Sequence, residues 1–239
     1  MSPEVGANQS QSKIAAGIRA RFVQVGTVFV LQALILILCS GIPGWVWAWV
    51  YLGISVLSVA VNGSIMLRIN PETVAERGRP KETKAWDKSI SGFYAFANFL
   101  LLPLVAGLDA RFSWTGTIGQ TSQLIGAGAL ALSLAWGGWA MISNAFFSTA
   151  VRIQTDRDQT VCRRGPYRFV RHPGYVGFML QSVATSVLLG SLWALIPSLT
   201  AVIALGIRTY LEDGTLQAEL PGYREYVKEV RYRLLPGIW

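Results

Sequence analysis

The chain has 239 residues, of which 52% are apolar and only 14% are charged, and its formal net charge is +8. Soluble domains carry about 25% charged residues, so this composition argues against a soluble protein. The basic residues lie between long apolar runs, which fits membrane topology and argues against a nucleic-acid partner. The cysteines Cys39 and Cys162 are far apart and have no metal-ligand spacing, so neither a disulfide framework nor a zinc site is expected.

The apolar runs predict an all-α fold, a polytopic integral membrane bundle of about six hydrophobic segments. Residues 1–21 are predicted to form a polar N-terminal segment with a surface helix at Ser12–Arg21. Residues 22–143 hold the first four spans, and a charged loop at Glu72–Lys88 joins the second span to the third. The predicted spans are Phe22–Ser40, Trp45–Ile69, Ile90–Leu108 and Ile118–Ile142.

Residues 144–239 are predicted to form a separate C-terminal core with a polar tail. Its two apolar segments, Tyr175–Leu189 and Trp193–Tyr210, are short for a crossing, which takes about 20 helical residues. Pro197 is expected to interrupt the second of them. In the tail, Tyr223 and Tyr226 are expected to pack against the membrane.

The distribution of Lys and Arg predicts the orientation in the membrane. With this set of segments, every basic residue except Arg111 falls on the same side. The positive-inside rule then places both termini in the cytoplasm. The long polar segments lie on that side too, so a functional site is expected to open to the cytoplasm.

The first candidate site surrounds His172, the only histidine in the chain. Pro173 suits the first turn of a helix, which puts Arg171 and His172 at a positive helix end where a carboxylate or phosphate could bind. Tyr175 would offer its hydroxyl nearby. The structural alternative is that His172 is only a hydrogen-bonding end cap.

The second candidate site lies at the end of the last apolar segment. Arg208 and Glu212 are four residues apart and share one helical face, with Asp213 next to them. The structural alternative is a salt bridge between Arg208 and Glu212. In the functional interpretation, Glu212 binds a cation or hydroxyl groups, and together with an anion site at His172 it would suit a zwitterion such as an amino acid moiety.

No glycine-rich nucleotide fingerprint, phosphate loop, paired metal ligands or nucleophile motif is found, so no metal is expected. The motifs of residues 144–239 instead resemble the C-terminal half of the isoprenylcysteine carboxyl methyltransferase family. That half is shared with phospholipid N-methyltransferases and, more loosely, with membrane sterol reductases. The family pattern usually has Glu-Glu where this chain has Glu212-Asp213. The matching motifs are Gly165-Pro166-Tyr167, Arg171-His172-Pro173-x-Tyr175-x-Gly177, Arg208-x-x-x-Glu212-Asp213-x-x-Leu216 and Leu220-Pro221-Gly222-Tyr223-x-x-Tyr226.

The resemblance implies a membrane methyltransferase that uses S-adenosylmethionine, whose methionine moiety is a zwitterion of the expected kind. Its partners would be membrane lipid and a lipophilic or prenylated acceptor that enters from the bilayer. In a bacterium the protein would lie in the inner membrane. The catalytic residues implied are Arg171, Arg208 and Glu212. The implied cofactor-binding residues are Tyr167, His172, Pro173, Tyr175, Gly177, Glu212 and Asp213, and the implied acceptor-binding residues are Asn144 and Arg208.

Carboxyl O-methylation is the leading prediction for the reaction. Phospholipid-type N-methylation and thiol S-methylation are the alternatives for the acceptor. An NADPH-dependent reductase of the sterol type is a more distant alternative, because it shares the C-terminal motifs. A small transporter or scaffold is a third class, although the chain shows no internal repeat and no charge in the middle of a predicted span.

Overall fold

The computed structural model describes residues 3–79, 83–116 and 118–239, and it describes side chains from residue 11 onward. Residues 80–82 of the predicted Glu72–Lys88 loop and residue 117, just before the predicted span Ile118–Ile142, therefore lie outside the described residues. The described residues form helices without strands. These are α1 (Pro3–Ser40), α2 (Val46–Ile69), α3 (Pro71–Gly78), α4 (Ala85–Phe96), α5 (Leu102–Phe112), α6 (Gln120–Ser143), α7 (Pro173–Leu188), α8 (Leu195–Glu219) and α9 (Tyr223–Glu229).

Five helical stretches among the described residues are long and apolar enough to cross a membrane. Their outward faces carry exposed apolar side chains, such as Leu57, Leu132 and Ile203, while serine and threonine hydroxyls are buried between them. This arrangement is the reverse of a soluble core and is expected of an integral membrane protein. The five stretches are Gln11–Ser40, Val46–Ile69, Ala85–Phe112, Gln120–Ser143 and Leu195–Glu219.

The first two predicted boundaries differ from the structure. Helix α1 continues through Arg21 and Phe22, so the predicted division between a surface helix and a span is wrong. No proline or capping residue occurs there to end the helix. The predicted Glu72–Lys88 loop is also wrong over much of its length, because Pro71–Gly78 is helical. Asn70 accepts a hydrogen bond from the Thr73 amide at 3.2 Å, and Pro71 occupies the first helical position.

The later segments differ in length. The third span is longer than predicted, since α4 and α5 are joined by a π-helical segment, Ala97–Leu101, just before Pro103. Helix α8 has 25 residues, and Pro197 lies in its first turn, where a proline is tolerated. The predicted interruption at Pro197 is therefore wrong. Helix α7 has only 16 residues and is shorter than the five candidate spans.

Helices α6 and α7 pack most extensively, through small residues. A Cβ atom at Gly126 would lie 2.8 Å from Leu188 Cα, and one at Gly177 would lie 3.0 Å from Gly137 Cα. Such contacts let two helix backbones approach closely. Beside them, a core of large apolar side chains joins α1, α2, α5, α6 and α7. Its members include Leu36, Tyr51, Leu102, Leu130 and Leu188.

Replacement of Gly126 by alanine should destabilise the α6–α7 contact. The added methyl group has no room against the backbone of α7, and overpacking of this kind costs about 1–3 kcal/mol. We expect the melting temperature in detergent to fall by several degrees. Gly128→Ala is the matched control on the same helix, because a Cβ atom there meets nothing within 4 Å. An equal effect of the two substitutions would contradict the packing described.

Candidate functional site

A cavity of about 490 Å³ lies between the N-terminal helices and the C-terminal core. Its apolar wall includes Val25, Phe29 and Val59 from α1 and α2. Its polar wall includes Arg208 and Glu212 from α8. A volume of this size is typical of small-molecule sites, and the lining combines a membrane-like surface with a few charged groups.

Tyr175, Arg208 and Glu212 meet in the polar wall of the cavity. The Tyr175 hydroxyl donates a hydrogen bond to Glu212 Oε2, and the Arg208 guanidinium lies over the Tyr175 ring, with Cζ 5.5 Å from the ring centroid. No described residue donates a hydrogen bond to Glu212 Oε1, and Glu212 is only half-buried. One oxygen of this carboxylate can therefore accept a hydrogen bond from a ligand.

The ion pair of Arg208 is with Asp87 on α4. Arg208 Nε donates to Asp87 Oδ1 at 2.7 Å, and a second guanidinium nitrogen donates to the Thr149 carbonyl oxygen at 2.8 Å. Asp87 is almost fully buried and also accepts from the Val151 amide at 2.9 Å. Among the ion pairs of the described residues, Arg208 and Glu212 are not paired, so the salt-bridge alternative for these two residues is wrong.

Asp213 lies at the centre of a buried hydrogen-bond network. It is completely buried, and the cavity lining does not include it. Both oxygens of the Asp213 carboxylate accept hydrogen bonds from other parts of the protein. Its hydrogen-bonding capacity is therefore used within the protein. Its donors are Arg171 Nε at 2.8 Å, His172 Nε2 at 3.1 Å, Tyr223 Oη at 3.0 Å, Gln217 Nε2 at 2.8 Å and Arg233 Nε at 2.9 Å.

The N-terminus of α7, which is the positive end of the helix, faces the carboxylate of Asp213. The sequence predicted an anionic ligand at this position. Arg171 and His172 are both buried, and their backbone amides donate to the carbonyl oxygens of Tyr232 and Arg233 in the tail, each at 2.9 Å. Burial lowers the pKa of Arg171, but the hydrogen bonds and charge of Asp213 outweigh burial and raise it above its usual value. The two side chains still form part of the cavity wall. Their predicted ligand contacts stay a prediction.

Aromatic rings cover the rest of the polar end. The His172 and Tyr175 rings stack with centroids 5.8 Å apart, and Phe178 meets both Tyr175 and Phe147 edge to face. Phe147 also covers Gly174, where a Cβ atom would come within 2.6 Å of its ring. Such a surface of ring faces favours a ligand that carries a cationic group.

Tyr167 and Asn144 lie together at another part of the wall. Asn144 Nδ2 donates to Tyr167 Oη at 3.2 Å, and both residues line the cavity. Tyr226 donates to the Tyr167 carbonyl oxygen at 2.6 Å and, like Tyr223, is buried in the C-terminal core. The expectation that Tyr223 and Tyr226 pack against the membrane is therefore wrong, because both hydroxyls have polar partners inside the protein.

Two residues of the motif serve the packing around the site. The carbonyl oxygen of Pro173 accepts a hydrogen bond from Trp136 Nε1 at 3.0 Å, and Gly177 lies against Gly137 and Ser133 of α6. The cavity lining includes neither residue. The structure therefore brings Asn144, Tyr167, Arg171, His172, Tyr175, Arg208 and Glu212 to one cavity, while Pro173, Gly177 and Asp213 lie behind its surface.

Sequence reasoning missed Asp87, Phe147, Arg21 and Arg77 in or beside the cavity. The local pattern around Asp87 gives no sign of a partner on α8. Asn70-Pro71 could have revealed the helix that carries Arg77, since Asn followed by Pro is a helix-start signal as well as a stop. Within the described ranges, no group of three or more metal-ligating side chains was found.

Asp213→Asn should destabilise the protein more than Glu212→Gln does. The asparagine side chain has no negative charge to pair with Arg171, and its NH₂ group would face hydrogen-bond donors instead of acceptors. Breaking a buried ion pair costs about 3–5 kcal/mol. We expect a fall in melting temperature of about 10 °C, since 1 kcal/mol shifts a chain of this size by about 2–4 °C. Glu212→Gln, one residue away at a half-buried position, should change it little. Equal melting temperatures would show that Asp213 does not organise the core.

Residues 128–218 match the family model of the isoprenylcysteine carboxyl methyltransferase family. A search among curated proteins gave no significant match. The matched range runs from α6 to near the end of α8 and ends before α9 and the tail. The match supports the resemblance deduced from the motifs where the two overlap, over residues 144–218, and this part of an integral membrane protein is similar to the isoprenylcysteine carboxyl methyltransferase family.

Proposed function

We propose that the protein transfers a methyl group from S-adenosylmethionine to a lipophilic acceptor that enters the cavity from the bilayer, most favourably to a carboxylate oxygen. The observation that carries this proposal is the meeting of Glu212, Tyr175 and Arg208 in the wall of a cavity that also has an apolar surface at Val25, Phe29 and Val59. The cavity would open to the cytoplasm, since the long basic segments lie on that side of the predicted topology.

The residues at the polar end fit such a donor. S-adenosylmethionine carries an ammonium and a sulfonium group against one carboxylate, so it has a net positive charge. Glu212 is the acidic residue among the described residues of the wall, and its Oε1 is available to an ammonium or a ribose hydroxyl. Guanidinium groups already lie over the Tyr175 and Phe147 rings, and the neighbouring ring of Phe178 can face a sulfonium group.

When bound, the donor supplies an electrophilic methyl group on sulfur. The tasks left to the protein are to orient the reactants and to exclude water, which can account for about 7–11 kcal/mol of a barrier. Tyr175 holds Glu212 in place, and Asp87 holds Arg208 against Tyr175. A carboxylate acceptor is already a nucleophile, so its methylation needs no general base.

Calorimetry with S-adenosylhomocysteine tests the donor site. Purified, monodisperse protein should show saturable binding, and its absence would refute the proposal. Incubation with a labelled methyl donor and a total lipid extract then tests the acceptor class. We expect label in an apolar product that mild alkali removes, as for a methyl ester. Alkali-stable label on an amine headgroup would redirect the proposal to N-methylation.

Glu212→Gln should weaken the binding of S-adenosylhomocysteine by about ten- to one-hundredfold, because a charge-assisted hydrogen bond contributes about 1.5–3 kcal/mol. The melting temperature should stay close to that of the unmodified protein, since the described hydrogen bond of Glu212 is with Tyr175 alone. Glu219→Gln is the matched control, because Glu219 is exposed on the same helix and pairs with Lys84. An unchanged dissociation constant in Glu212→Gln would remove this residue from the site.

A further inference from the structure

Two arginines in the cavity wall have no acidic partner within the part of the chain that the structure describes. Arg21 lies on α1 and Arg77 on α3, and both are half-buried and line the cavity. The other arginines of the wall have carboxylate partners. These pairs are Arg152 with Glu76 at 2.8 Å, Arg171 with Asp213 at 2.8 Å and Arg208 with Asp87 at 2.7 Å.

Backbone packing between α1 and α3 brings Arg21 and Arg77 to the same wall. A Cβ atom at Gly78 would lie 2.7 Å from the Arg21 amide nitrogen, and Gln24 Nε2 donates to the Gly78 carbonyl oxygen at 3.3 Å. The Arg77 guanidinium then lies over the Phe147 ring, with Cζ 5.2 Å from its centroid. Because Phe147 also faces Phe178 beside Tyr175, Arg77 lies toward the end of the cavity that holds Glu212, and Arg21 lines the same cavity.

The electrostatics of this wall favour an anion. Burial, followed by the positive charges of Arg21 and Arg208, lowers the pKa of Arg77 to about 9. This value is still above neutral, so Arg77 remains cationic. Like charges in a partly desolvated wall are unfavourable in the absence of a compensating charge, and an anionic ligand would supply one.

We propose that Arg21 and Arg77 bind the anionic headgroup of the methyl acceptor, a carboxylate or a phosphate at the end of an apolar chain. This inference rests on the proposed function and names the acceptor side of the same site. The charges of the wall then divide between two ligands. Glu212 serves the donor with its net positive charge, and the arginine pair serves the acceptor, whose apolar chain lies along Val25, Phe29 and Val59.

This assignment predicts that acceptor and product bind differently. Methylation of a carboxylate breaks the S–CH₃ bond of the donor and forms an O–CH₃ bond. The products are S-adenosylhomocysteine and a neutral ester, which cannot form an ion pair with an arginine. The ester should therefore bind more weakly than the acid, and its release would be favoured. A phosphate headgroup with a neighbouring amine as the methylated group would keep its charge and bind equally well before and after the reaction.

The test measures the binding of farnesoic acid, farnesyl monophosphate and methyl farnesoate to the full-length protein in detergent, with S-adenosylhomocysteine present. At least one of the two anions should bind about tenfold tighter than the ester. Arg77→Gln and Arg21→Gln should each remove most of this preference, and Arg77→Lys should keep much of it. Arg19→Gln, an exposed position on α1, is the matched control and should leave the preference intact. A stronger effect on the acid than on the phosphate would support a carboxylate acceptor.

Equal affinities of the unmodified protein for both anions and the ester would overturn the inference. So would variants that weaken the binding of S-adenosylhomocysteine and leave anion binding unchanged, because the arginines would then hold the carboxylate of the donor. Failure of the unmodified protein to bind S-adenosylhomocysteine is a separate outcome that refutes the proposed function itself. The melting temperature of each variant shows whether a loss of affinity results from unfolding. Because Arg21 lies on α1 and Arg77 on α3, the two glutamine variants test the same wall independently.

Discussion

The C-terminal core depends on one buried carboxylate. Asp213 on α8 joins the segment before α7, helix α9 and the tail through charged and neutral hydrogen bonds. These elements also share a small apolar cluster around Leu220, Tyr223 and Tyr226, and the multiply paired acid links them beside it. A buried charge with several partners is costly to disrupt, and it therefore fixes one arrangement. Glu212 is its neighbour in sequence and takes its position from the same turn of helix.

A second buried carboxylate, Asp87, connects the two halves of the protein. It lies on α4, yet it holds Arg208 of α8 and the Val151 amide of the long connection. The cavity is thus a space between two halves. The matched family domain supplies Glu212 and Tyr175, whereas α1 and α3 outside the match supply Arg21 and Arg77. Under the proposed function, the two halves of the chain would thus supply the donor side and the acceptor side of the site separately.

The sequence predicted the apolar helices well, because a run of about 20 apolar residues has few other structures available. Arg208 and Glu212 share a helical face, as their spacing indicates, and both line the cavity. The sequence did not predict pairs between distant segments, such as Arg208 with Asp87, because no local period encodes them. The assignment of Asp213 to the cofactor illustrates the same limit, since a motif position does not tell whether a carboxylate faces a ligand or the protein.

The length of α7 has a consequence for the depth of the reaction. Its 16 residues rise about 24 Å, whereas the hydrocarbon core of a bilayer is about 30 Å thick. The turn after α7 is held by the bond of Ser191 to Asp109 and lies beside the exposed rings of Trp114 and Trp193, which mark one interface. If α7 stands along the membrane normal and ends at that level, its N-terminus at Pro173 would lie about 6 Å short of the opposite headgroups. Under the proposed function, a water-soluble donor would therefore enter the membrane to meet an acceptor dissolved in it, and the thickness of the surrounding bilayer would set how far it has to go.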